Sequence, residues 1–310
     1  LCLECLGLLG AVDPDRLDMP PDEPILILLS DFENEDENMA FAQRILVDVV
    51  VPAFRATHDT KHQAALAYAI QELLKYCKFT PALLEASAPT RVPEKVRQRW
   101  STLPEMLLPT LLPLLNSRYV VQQTEPRPRE MPLYAHSTSY RDWVQAWTLW
   151  LIRSSRPGDA ASLFHIFTSV VRDHDVGIAQ YLLPHLVLHI LISGSSQQRR
   201  TVLGESLAVL ADQAHPALGY EPERRRLTAQ TLFHVLDHVG HWMRRMRLVP
   251  LRMARRSRWR DALSDVQAIM DELSPDLLAQ ASLQCDAYAR ALLHFESVSY
   301  THLRAHETRE

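Results

Sequence analysis

Apolar residues recur along this chain at intervals of three and four, the spacing of one face of a helix, and almost nowhere at the alternating spacing of a strand. Phe41, Ile45, Val49 and Ala53 make the first stripe, over residues 38–57. Leu66, Ile70, Leu73, Leu74 and Cys77 line the next helix, with Thr60 placed to cap it. Pro81, Pro89 and Pro93 punctuate the loop that follows. Residues 94–116 read as short helices broken at Pro104, Pro109 and Pro113, because proline lacks the N–H a helix interior needs. The polar, proline-rich stretch 120–138 reads as an exposed connection.

Ser139 then stands as the cap of a helix that turns Trp143, Trp147, Trp150 and Leu151 inward. A helix is expected over 159–172. Asp173 or Asp175 can cap the next, whose stripe is Val176, Ala179, Leu183, Leu186 and Ile190. Helices near 196–213, 222–247, 257–273 and 276–296 complete the series, and the periodicity stops at Val298. Successive helices joined by short loops predict an all-α fold, an α-solenoid of antiparallel helix pairs, at roughly forty residues per pair. No consensus letters recur, as in the degenerate HEAT type of repeat.

Composition supports this picture. The 310 residues are 47% hydrophobic and 23% charged, ordinary for a globular protein. Only 8 are glycine, where average usage gives about twenty, and 20 are proline. A net charge of −4 exerts no global pull towards nucleic acid or anionic membranes. The longest apolar run, residues 181–192, is shorter than a membrane span and holds His185 and His189. Four cysteines, Cys2, Cys5, Cys77 and Cys285, are too few for a disulfide scaffold and fit a reducing compartment. The opening lacks Met and a basic leader, so the chain reads as an internal stretch of a longer protein.

Candidate chemistry is thin. His234, His238 and His241 lie at i, i+4 and i+7 with Asp237 beside them, and His185 and His189 form another pair one turn apart. Such spacing can present imidazoles to zinc, but the acid that a metalloprotease needs after the first histidine is replaced by Val235. Cys2 and Cys5 form a lone C-x-x-C without a second pair of ligands. Eight arginines fall within 244–260, at 244, 245, 247, 252, 255, 256, 258 and 260, a density able to neutralise phosphates. Pro250 splits the run, which favours an exposed loop; only Trp242 and Trp259 could stack on bases. No phosphate-binding glycine loop, kinase catalytic motif or nucleophile elbow is present. The residues themselves therefore assign no catalytic, cofactor-binding or metal site.

Six blocks carry a resemblance. They are LGLLGAVDPDRLD (6–18), YAIQELLKYCKFTP (68–81), KVRQRWSTLPEMLLPTLLPLL (95–115), SYRDWVQAWTLWLI (139–152), HDVGIAQYLLPHLVLHIL (174–191) and CDAYARALLHFES (285–297). In this order they resemble the ATR checkpoint kinases of the phosphatidylinositol 3-kinase-related family. The resemblance implies a HEAT-like helical solenoid over 1–255 and the start of the FAT (TPR-like) helical region over 256–297. It implies a fragment without the kinase domain; ATP and a divalent metal belong to that absent domain, and this chain takes no cofactor. The implied partners are the ATR-interacting protein and, indirectly, single-stranded DNA coated by replication protein A, in a nuclear assembly that is a dimer of heterodimers. Residues 298–310 depart from the family and resemble a translated adapter, so a non-native tail is expected there. The competing reading is a free-standing helical module that binds nucleic acid through the 244–260 arginines.

Overall fold

A computed structural model describes residues 29, 31–85, 91–120, 129–173, 175–215, 221–248 and 256–296. Among them every regular element is helical, as the periodicity predicts. The chain divides into two units, one of residues 27–128 and 144–186, the other built from 129–143 and 187 onwards.

In the first of these units, α1 (Glu35–Ile45) starts at Asn34, whose side chain accepts the Asp36 N–H at 3.0 Å. Glu35, Asp36 and Glu37 fill its first turn, at the positive end of the helix dipole. The expected continuous helix over 38–57 contains a π-helical turn, Leu46–Val50, before α2 (Val51–Ala56). Pro52 offers no N–H, and the Val51 amide reaches back five residues to the Leu46 carbonyl, which widens the turn. The extra residue shifts the apolar stripe. Phe41 and Ile45 are buried as predicted, but burial then passes to Leu46, Val50 and Val51, leaving Val49 and Ala53 half-buried.

Helix α3 (Thr60–Tyr76) is capped by Asp59 and not by Thr60; the Asp59 carboxylate accepts the Lys61 N–H at 3.0 Å. Its predicted face, Leu66, Ile70, Leu73, Leu74 and Cys77, is buried. The helix ends in a Schellman motif: Lys78, at φ 61°, donates to the Lys75 carbonyl and Phe79 to that of Leu74. The buried Phe79 ring then meets Trp100 edge-on at 5.1 Å. Trp100 lies on α4 (Glu94–Ser101), which is followed by a 3-10 turn and α5 (Leu108–Leu115). A break falls at Pro104 as expected, whereas Pro109 occupies the first turn of α5 and Pro113 sits inside it, and neither interrupts the helix.

In the other unit, α6 (Leu133–His136) precedes α7 (Tyr140–Ser154), which spans the boundary between the units. Ser139 is the predicted cap of α7, its hydroxyl accepting the Asp142 N–H at 3.1 Å. Trp143, Trp147 and Leu151 are fully buried, but Trp150 is only half-buried.

The single helix expected over 159–172 is two, α8 (Asp159–His165) and α9 (Thr168–Asp173). Tight i to i−3 bonds from Ile166 and Phe167 bend the chain there and send the Phe167 ring into the core. Helix α10 (Val176–Ser193) is capped by Asp175, which accepts the Ile178 N–H at 3.0 Å. At 18 residues and a mean hydropathy of 1.6 it is long and apolar enough to cross a membrane, longer than the run singled out from sequence. With 67% of it buried inside the structure, it is a core helix.

Helix α11 (Ser196–Ala214) opens on a capping box in which Ser195 and Gln198 satisfy each other's backbone N–H groups. It packs against α6, α12 (Pro222–Leu248), α13 (Arg256–Asp271) and α14 (Pro275–Gln284). The predicted helix 276–296 is divided: α14 ends at Gln284 and a further helix, α15, runs over 288–296. Asp286 at φ 61° closes a second Schellman motif, donating to the Leu283 carbonyl while Ala287 donates to that of Ser282. Aspartate tolerates this left-handed conformation better than most residues, so no glycine marks the break.

Candidate functional site

The histidines expected to tempt a metal are separated by their surroundings. His234 is exposed on α12, while His238 faces inward, its pKa pushed down to about 4 by burial and then by the neighbouring His234 and His241. Asp237 forms a two-point ion pair with Arg290 of α15, Nη1 to Oδ1 at 2.6 Å and Nη2 to Oδ2. His185 packs against the Phe41 ring, centroids 4.6 Å apart, and both His185 and His189 are buried. Among the described residues no three histidine, cysteine or acidic side chains could hold a metal ion together.

The two described cysteines are unreactive. Burial pushes the Cys77 thiol up to about 12, and burial likewise raises that of Cys285, so neither supplies a thiolate near neutrality. Cys2 and Cys5 lie outside the described residues. The same holds for Pro250, Arg252, Arg255 and the side chains of Arg256 and Arg258, as well as for the whole 298–310 tail. Of the remaining arginines, Arg244 is half-buried, Arg245 and Arg260 are exposed, and Arg247 donates to Gln267 of α13.

The most constrained polar group was not singled out from the sequence. Glu205, fully buried on α11, accepts three N–H donors: the Leu133 amide at 2.6 Å, the Tyr134 amide at 2.7 Å and the Trp143 indole at 2.8 Å. Leu133 and Tyr134 open α6, where Pro132 has no side chain able to cap them. Glu205 supplies that cap from another helix. Burial raises its carboxyl pKa, and the three donors pull in the opposite direction.

Two further groups, one on α11 and one on α12, hold α6. Tyr134 donates its hydroxyl to Asp212 at 2.6 Å; Asp212 sits two turns beyond Glu205 on the same face of α11. From α12 the buried Arg224 donates to the Tyr134 carbonyl at 2.8 Å, its guanidinium 4.9 Å from the centre of the Tyr134 ring. Amides, carbonyl, ring and hydroxyl of one short helical turn are thus all engaged by α11 and α12. The arrangement contains no nucleophile matched to a base and no open position for a reacting group. Its chemistry is that of a joint, which fixes the path of the chain into α7.

The same unit holds a cleft of about 660 Å³, lined by Leu236, Gly240, Met270, Leu278 and Leu293 around the Asp237–Arg290 pair. Arg290 also stacks 4.9 Å over the Phe233 ring. Leu283, Tyr288 and Leu292 are exposed on α14 and α15.

The joint and the cleft both fall in a stretch that a known family shares. The description "Serine/threonine-protein kinase ATR, M-HEAT region" matches residues 127–310. The chain is similar to protein kinase rad3 of Schizosaccharomyces pombe, 28% identical over 96% of this chain and 13% of that protein. It is 29% identical to serine/threonine-protein kinase ATR of Oryza sativa subsp. indica, over 96% of this chain and 12% of that protein. It is 24% identical to serine/threonine-protein kinase MEC1 of Candida glabrata, over 99% of this chain and 13% of that protein. The chain therefore spans 12–13% of the length of these relatives. Helical in every regular element among its described residues and matched over more than half its length by that one description, the chain belongs to the M-HEAT region of the ATR kinases.

Proposed function

We propose that this chain is a helical scaffold segment of a checkpoint protein kinase, one that positions a kinase domain lying elsewhere in the protein and offers surfaces to partners. The observation that carries the reading is the Glu205 joint. A carboxylate that acts on a substrate must reach the reacting group, whereas this one is buried and engaged by three N–H groups of its own chain. Stacked helical repeats transmit load because each contacts its neighbours, so small rotations at each repeat sum along the array.

The parent protein acts in the nucleus as a serine/threonine kinase that responds to damaged or stalled DNA, pairing with the ATR-interacting protein and, through it, with replication protein A on single strands. Residues 256–297 lead towards the FAT region. The family resemblance supports these proposals, and the relatives' names support the kinase activity of the parent alone. The nucleic-acid reading is less well supported, since Arg247 is turned to a neighbouring helix.

The test uses the isolated chain and the full-length kinase side by side. The pure chain is expected to transfer no labelled phosphate from ATP above a mock preparation. Full-length kinase carrying Glu205→Gln is expected to lose kinase output although its catalytic residues are intact, while Arg245→Ala leaves it unchanged. Phosphate transfer by the isolated chain, or a stably folded E205Q kinase with a loosened joint and full activity, overturns the scaffold reading.

A further inference from the structure

We draw no further inference here: the strongest candidate, the cleft framed by α12, α13, α14 and α15 with Leu283, Tyr288 and Leu292 exposed on those last two helices, is an apolar face for which nothing in the structure shows what covers it.

Discussion

The indole N–H of Trp143 donates to Glu205 at 2.8 Å across 62 residues of chain, and the same carboxylate oxygen accepts the amide of Tyr134 at 2.7 Å. One acid thereby ties the first turn of α7 and the start of α6 to α11. Replacing it leaves three buried donors without an acceptor. Glu205→Ala is expected to cost on the order of 3–5 kcal/mol, the range for removing one partner of a buried charged network. Glu205→Gln is expected to cost less, since its amide keeps one acceptor but turns an N–H₂ group towards another donor. Urea unfolding followed by tryptophan fluorescence checks both; an unchanged midpoint for Glu205→Ala refutes the joint.

Tryptophans one turn apart on α7 should respond unequally. Trp147 is fully buried, and Trp147→Ala is expected to cost about 3–5 kcal/mol through lost transfer energy and the cavity left behind. Trp150 is half-buried, so Trp150→Ala should cost clearly less. Equal midpoints for the two variants would contradict their placement.

His238 gives the fold an acid-sensitive limb. Its folded pKa, about 4, lies below the ordinary value of 6.5, so the unfolded chain binds the extra proton first. The stabilisation is complete above about pH 6.5 and is lost as pH falls towards 4, on the order of 3 kcal/mol in all. Glu205 has the opposite sign: its raised pKa makes stability fall as pH rises from the ordinary carboxylate value through the folded one. The two are separated by substitution. His238→Gln should flatten the dependence between pH 6.5 and 4.5 relative to the parent chain, and parallel midpoint curves for the two proteins would exclude His238 as its source.

The two left-handed helix ends invite glycine. Lys78 and Asp286 both sit at φ 61°, where a side chain crowds the following carbonyl. Lys78→Gly is expected to raise stability by about 0.5–1 kcal/mol, since the exposed Lys78–Glu35 pair contributes little. Lys78→Val should lower it by more than that, because a β-branched residue fits this conformation poorly. Thermal unfolding decides; a loss of stability for the glycine variant is the adverse result.

Helix α15 is expected to be the least protected of the helices in the 187–296 stretch. Tyr288 and Leu292 face solvent, and its anchor is Arg290, paired with Asp237 and stacked on Phe233. Hydrogen exchange should show Leu292 and Leu293 opening at low free energy, faster still in Arg290→Ala, with α11 unaffected. Protection of α15 equal to that of α11 would disprove this.

Much of the helical order was legible because a helix is a local object. The stripes through Leu66, Ile70 and Leu73, through Trp143 and Trp147, and through Leu183, Leu186 and Ile190 recur at i+3, i+4 and i+7, and each is buried. The Ser139 cap was legible for the same reason, since donor and acceptor lie three residues apart. So was the lack of kinase motifs, which are contiguous strings.

What the pattern misplaced depends on partners distant in sequence or on backbone choices that periodicity does not record. The π turn follows from Pro52 displacing the bonds before it, and it moves every buried position after Ile45. The break at Asp286 needs a left-handed residue that any short polar side chain can supply. A trace of the joint existed: Glu205 and Asp212 share one face of α11 with Val202 and Val209, where an acid is out of place. The sequence by itself determined that this chain is helical, where most helices run, and to which family it belongs, because helical spacing and family blocks are read along the chain. Only the tertiary structure decided that the acid on that face caps a helix 72 residues away, because a buried charge is tolerable only where folding has already gathered its donors.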